Sequence, residues 1–205
     1  MNTYSHMILG RLLYEYVKEN HGIILEKGSF LRGNVAPDYN VSIITRPHYI
    51  ENRLGFVKSE IEALADTSLP SEKVGKIYSK RLGVICHYYS DFFCYAHNGP
   101  EYRRNMAFHM KYERCLHQYL VDIKDMIKNV KLMPENRFAP DQRAINLGFE
   151  ALHSEYLRSE PSFDRDIIYA LYACAGAVVS LVNCSCGRGL SEALSSYQAL
   201  GATAG

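Results

Sequence analysis

The sequence reads as an all-α protein folded as a single compact helical domain spanning 1–205. Apolar residues recur at helical spacing through most of the chain, and no segment carries a convincing alternation of apolar and polar residues. No low-complexity linker or internal repeat divides the chain. With 205 residues, 47% hydrophobic and 22% charged, it has the apolar material for one substantial core.

By periodicity a first helix is expected over about 3–20. Gly28 to Pro47 follows as a long irregular segment, rich in Gly, Asn, Pro and Asp; a loop of that length in a compact domain is usually functional. Further helices are expected over about 52–66, 71–97, 103–130, 138–158 and 163–183, with a short one near 190–199. The longest apolar stretch, Ile167 to Val182, contains Tyr, Ala and Gly and falls short of the roughly 20 residues that span a bilayer. It reads as a buried core helix, so no transmembrane segment is expected.

The formal net charge is +1, and basic residues are interspersed with acids, which excludes the basic footprint of a duplex nucleic-acid binder. The N-terminal MNTYSHMILGRLLYEYVKEN lacks the basic, apolar and small-residue regions of a signal peptide, so a cytoplasmic location is expected. Six cysteines (Cys86, Cys94, Cys115, Cys174, Cys184 and Cys186) show no zinc-ribbon or disulfide-framework spacing and read as reduced thiols. Cys184 and Cys186 form a C-x-C, for which plain thiols are the first reading and a metal or redox pair the second.

The chemistry lies in the histidines. His87 and Asp91 are four residues apart, on one helical face, with His97 at the end of that helix; His109 and Glu113 repeat the spacing on the next helix. Alone, such a pair is more often a surface pair than a site. On two adjacent antiparallel helices, however, the pairs can converge on metal from opposite sides, and imidazole with carboxylate suits zinc. His6, Asp38 and His48 add three more ligand-type residues. His21, His117 and His153 have no partner at metal spacing and read as surface or core histidines.

These residues lie in segments that resemble the zinc-dependent phospholipase C family of bacteria, whose fungal relatives are single-strand nucleases. YSHMIL, GNVAPDY, RPHY, HYYSDFFCYAH and FHMKYE occur in the family's order, and the resemblance covers nearly the whole chain. It implies two or three zinc ions. Asp38, His48, His87 and Asp91 match the first site, and His97, His109 and Glu113 the second. His6 matches the third, with Asp91 bridging and the N-terminal amine and carbonyl completing the shell. Met1 stands where family members carry tryptophan, but an α-amino group needs no particular side chain to ligate. Asn2 is bulky, so Met1 is expected to be retained.

The resemblance further implies hydrolysis of a phosphodiester or phospholipid-headgroup substrate by a metal-bound hydroxide, with Asp91 as bridge and Asp38 as ligand or general base. Tyr39 matches a tyrosine that helps to box a quaternary ammonium. Thr45 replaces the aromatic that the phospholipases carry three residues before His48. Two alternatives stand beside this reading: a single-strand nuclease or other phosphoesterase, and a metal-binding protein without catalysis.

Overall fold

A computed structural model describes residues 1–39, 48–128, 130, 132 and 141–202, with backbone alone for 188–202. Its described residues are almost entirely helical, as the apolar periodicity requires. Helix α1 (Thr3–His21) starts where the Asn2 side chain accepts from the Ser5 amide at 2.9 Å and stops at Gly22, whose φ of 68° is the left-handed conformation that glycine adopts without strain. Its buried face carries His6, Leu9, Leu13, Tyr16 and Val17, spaced by three and four residues. Strand β1 (Ile24–Leu25) leads to α2 (Lys27–Tyr39), followed by α3 (Ile50–Ala65) and β2 (Lys73–Val74), which pairs in parallel with β1. This two-residue pair is too short to leave an alternating pattern in the sequence.

The second half comprises α4 (Lys76–Phe92), α5 (Tyr95–Asn98), α6 (Pro100–Arg104), α7 (Met106–Ile127), α8 (Gln142–Arg158) and α9 (Phe163–Ala202). Helix α9 packs against α1, α3, α4, α7 and α8. Ala173, Cys174, Ala175, Ala177, Val178 and Val179, which point to successive sides of the helix, are all buried, so the helix is apolar on every side where it crosses the core. It is one 40-residue helix, not the two expected over 163–183 and 190–199. Within it, Phe163–Gly187 is long and apolar enough by composition to cross a membrane, while 72% of its apolar window is buried inside the domain.

Two expectations fail for identifiable reasons. The supposed loop from Gly28 is helix α2 as far as Tyr39; residues 40–47, including Thr45, lie outside the described residues. Gly33, Asn34 and Pro37 are poor helix formers, but tertiary packing overrides that preference. A Cβ on Gly33 would meet the Lys80 carbonyl oxygen at 2.1 Å, and one on Gly83 would meet the Phe30 carbonyl oxygen at 2.2 Å. Helices α2 and α4 thus cross backbone against backbone, which only glycine permits at these two positions. The helix expected over 71–97 also ends early, at Phe92. Six residues of continuous helix would turn His97 about 240° away from Asp91; the break at Phe93 and Cys94 turns it back.

Gly33→Ala or Gly83→Ala should destabilise the protein by at least about 1–3 kcal/mol through backbone overpacking. Gly55→Ala, where a Cβ meets nothing within 4 Å, should instead stabilise by about 0.4–1 kcal/mol. Urea denaturation of the three variants checks both signs.

Candidate metal centre

Helices α1, α2, α4 and α7, short α5 and the residues just before α3 each deliver polar side chains to one point. At its middle is the Asp91 carboxylate, on the inner face of α4 and wholly buried. Its two oxygens face different groups. Oδ1 meets the Met1 amine, His6 Nε2 at 3.2 Å and His97 Nε2 at 3.5 Å. Oδ2 meets His48 Nδ1 at 2.9 Å and His87 Nε2 at 3.3 Å.

A second focus is Glu113 Oε1, on α7. The Met1 amine, His97 Nε2 and His109 Nε2 each stand 3.1 Å from it. The third carboxylate, Asp38, comes from the last turn of α2: Oδ2 accepts from the Thr3 hydroxyl at 2.7 Å, and Oδ1 stands 3.7 Å from His87 Nε2. The structure therefore gathers Met1, His6, Asp38, His48, His87, Asp91, His97, His109 and Glu113 around one centre. Among the described residues, three sets have ligand atoms all within 4.8 Å of one another: His6, His87 and Asp91; Asp38, His48 and His87; Cys94, His97 and Glu113.

Three kinds of observation fit this donor set to metal. His87 donates Nδ1–H to the Asn34 carbonyl at 2.9 Å, which leaves the Nε2 lone pair facing inward, the arrangement expected of an imidazole ligand. Nε2 of buried His6, although 3.2 Å from Asp91 Oδ1, makes no well-directed hydrogen bond to it, whereas buried polar atoms are normally satisfied. His48 Nδ1 and His87 Nε2 lie 3.1 Å apart against the same carboxylate, where a cation shared between two lone pairs is a better occupant than a single proton.

The electrostatics are those of a site prepared for cations. Burial, reinforced by neighbouring His87, lowers the pKa of His6 to about 4, and burial followed by the Met1 amine lowers that of His97; both rings are neutral, the ligating form. For Asp91, burial favours the neutral acid, but the Met1 amine and three histidines outweigh it and hold the carboxyl well below its ordinary range. The same contest holds Glu113 low. Burial opposes charging the Met1 amine, yet Asp91 and Glu113 prevail and raise its pKa well above 8.0.

Residues 5–163 match the family model for zinc dependent phospholipase C. The chain belongs to the zinc-dependent phospholipase C family. Membership implies zinc and a hydrolase of the phospholipase C type. No curated protein and no solved structure matches the chain.

Cys94 is a free thiol, as its spacing predicts, but it is also buried within the ligand set of His97 and Glu113, a role whose signal is the three-residue spacing to His97. Thr3 and the Asn34 carbonyl had no signal, because both act through contacts distant in sequence. The remaining histidines are accounted for elsewhere. His153 donates to the Phe92 carbonyl at 3.2 Å, His117 pairs with the Ser5 hydroxyl at 3.2 Å, and His21 packs against the Tyr16 ring. All six cysteines are unpaired, and no metal-type cluster includes Cys184 or Cys186 among the described residues.

Removing metal leaves Asp91 and Glu113 with the amine and imidazoles as their only compensation. Zinc at 100 times its Kd contributes about 2.7 kcal/mol per site, equivalent to about 5–11 °C in a protein of this size. A strong chelator should lower the melting temperature by that order in a differential scanning experiment. An unchanged transition would mean that the centre holds no metal.

Proposed function

We propose that this protein is a phosphodiester hydrolase of the phospholipase C type that uses two or three zinc ions. The observation that carries the reading is the division of the Asp91 carboxylate, with one oxygen facing His6, His97 and the Met1 amine and the other facing His48 and His87. A carboxylate so shared suits a bridging ligand. Asp38, His48 and His87 would complete the first site, His97, His109 and Glu113 the second, and His6 with Met1 the third.

Zinc in this setting supplies Lewis acidity toward phosphoryl oxygens and acidifies water. The chain's own groups do the rest. Neutral His6 and His97 present lone pairs, and the Asn34 carbonyl fixes the tautomer of His87. Thr3 occupies Oδ2 of Asp38, which leaves Oδ1 to orient a water molecule or accept its proton. The side chains of Asp38, His48, His109 and Glu113 are 12–19% exposed, against 0–1% for His6, His87 and Asp91. The diester therefore approaches from the Asp38–His109 side. Tyr39, beside Asp38 and 69% exposed, would meet a cationic headgroup.

Protein purified without chelator should carry at least two zinc ions per chain by elemental analysis and should hydrolyse a chromogenic phosphodiester. Asp91→Asn preserves shape but removes the shared charge, and should abolish turnover while reducing bound zinc. Asp38→Asn should cut turnover with a smaller loss of metal, and Tyr39→Phe should affect only substrates with a cationic headgroup. Full activity in Asp91→Asn would reject the bridged arrangement. Zinc-loaded wild type that cleaves single-stranded oligonucleotides but no phospholipid would move the assignment to a nuclease, and one inert on every diester would leave a metal-binding protein without catalysis.

A further inference from the structure

Directly behind the second ligand set lies a carboxylate that the metals do not need. Asp166, in the first turn of α9, is fully buried, and its oxygens divide their partners as those of Asp91 do. Oδ1 accepts from the Tyr156 hydroxyl of α8 at 2.9 Å and from Arg165 Nη2 at 3.2 Å. Oδ2 accepts from the Tyr95 amide at 2.7 Å and from the Tyr112 hydroxyl at 2.8 Å. The first pair belongs to the scaffold: Arg165 also donates to the Ser159 carbonyl at 2.7 Å and lies over the Tyr156 ring at 4.1 Å. The second pair belongs to the metal centre, because Tyr95 opens the helix of His97 and Tyr112 is next to Glu113.

We infer that Asp166 is a positioning residue for the second metal site, stapling the two segments that carry His97 and Glu113 to the core helix α9. The need for such a staple follows from α5. A helix of four residues, Tyr95–Asn98, closes too few backbone hydrogen bonds to define its own position. His97 therefore stands where tertiary contacts put it. Arg103 holds its carbonyl at 2.9 Å, Asn98 ties back to the Phe92 and Cys94 carbonyls at 2.9 Å, and Asp166 fixes the first amide of the helix. Asp166 hydrogen-bonds both ligand segments from outside the ligand set. A buried carboxylate is costly unless fully bonded; four donors meet this one, and two of them lead directly to ligands.

This inference rests on the zinc reading, and the experiment separates the two. Wild type, Asp166→Asn, Tyr112→Phe and Tyr156→Phe are loaded with zinc, and release to excess chelator is followed with a chromophoric indicator, alongside circular dichroism of the metal-free proteins. Outer contacts of this kind typically change metal affinity by about 10- to 100-fold. At least one phase of release should accelerate by that factor in Asp166→Asn, and by a smaller factor in Tyr112→Phe, with helix content unchanged. Tyr156→Phe removes a hydroxyl bond to the same carboxylate on the scaffold side only and should release zinc as wild type does. Equal acceleration in the two tyrosine variants, or none in any variant, would overturn the staple while leaving the zinc reading intact. Wild type that binds no zinc would overturn both. Should Asp166→Asn fail to fold, the contrast between the two tyrosine variants decides the question alone.

Discussion

The Asp91 carboxylate has no solvent of its own, and everything around it follows from how its charge is met. In a low-dielectric interior an uncompensated carboxylate is costly enough that the chain must bring it partners or protonate it. Here the partners come from five directions: the Met1 amine, His6 from α1, His48 just before α3, His87 one turn earlier on α4, and His97 from α5. His6 and His87 are fixed by the long helices that bear them, and His97 by the tertiary contacts of α5. The centre therefore exists only when α1, α4, α5 and the start of α3 are in register, which makes it a readout of the whole fold.

That register has its own physical cause. Helix α4 can present Asp91 and His87 to the N-terminal segment only because α2 lies against it with almost no side chain between them, at Gly33 and Gly83. The same crossing puts the Asn34 carbonyl within reach of His87 Nδ1 and brings Asp38, one helical turn beyond Asn34, to the mouth of the centre. Close packing and ligand orientation are thus one feature of the fold. On the opposite side, α9 serves as the wall against which the ligand-bearing segments are held, and its apolar surface is spent on α1, α3, α4, α7 and α8.

The fold class was legible because helical periodicity is a local property, and so were His87 with Asp91 and His109 with Glu113, whose spacing alone puts each pair on one face. The order of five short segments made the other ligands legible through family resemblance. What sequence could not give was the consequence of contacts between distant segments. Helix α2 looked like a loop because Gly33, Asn34 and Pro37 are weak helix formers when judged without α4 beside them. His97 looked like the end of a long helix because nothing local marks the break at Phe93. Thr3 and Asp166 act on the centre through partners 35 and 71 residues away, separations at which no motif is defined.

The Met1 amine links these observations. Without metal it is held in its charged form by Asp91 and Glu113, so it supplies the positive charge that zinc would otherwise bring, and the metal-free centre need not expel its carboxylates. A metal that takes this nitrogen as a ligand must displace its proton. The two carboxylates that attract the metal are also the groups that make that proton hard to remove. Metal binding at this position would accordingly be an exchange of one cation for another rather than the filling of an empty anionic pocket, and its affinity would fall as pH falls, because protons compete for the nitrogen. The imidazoles carry less of this competition, because burial lowers the pKa of His6 and of His97 and favours their neutral, ligating form. The centre thus offers two kinds of group to a metal, rings that burial favours in the neutral form and an ammonium that would have to lose its proton first.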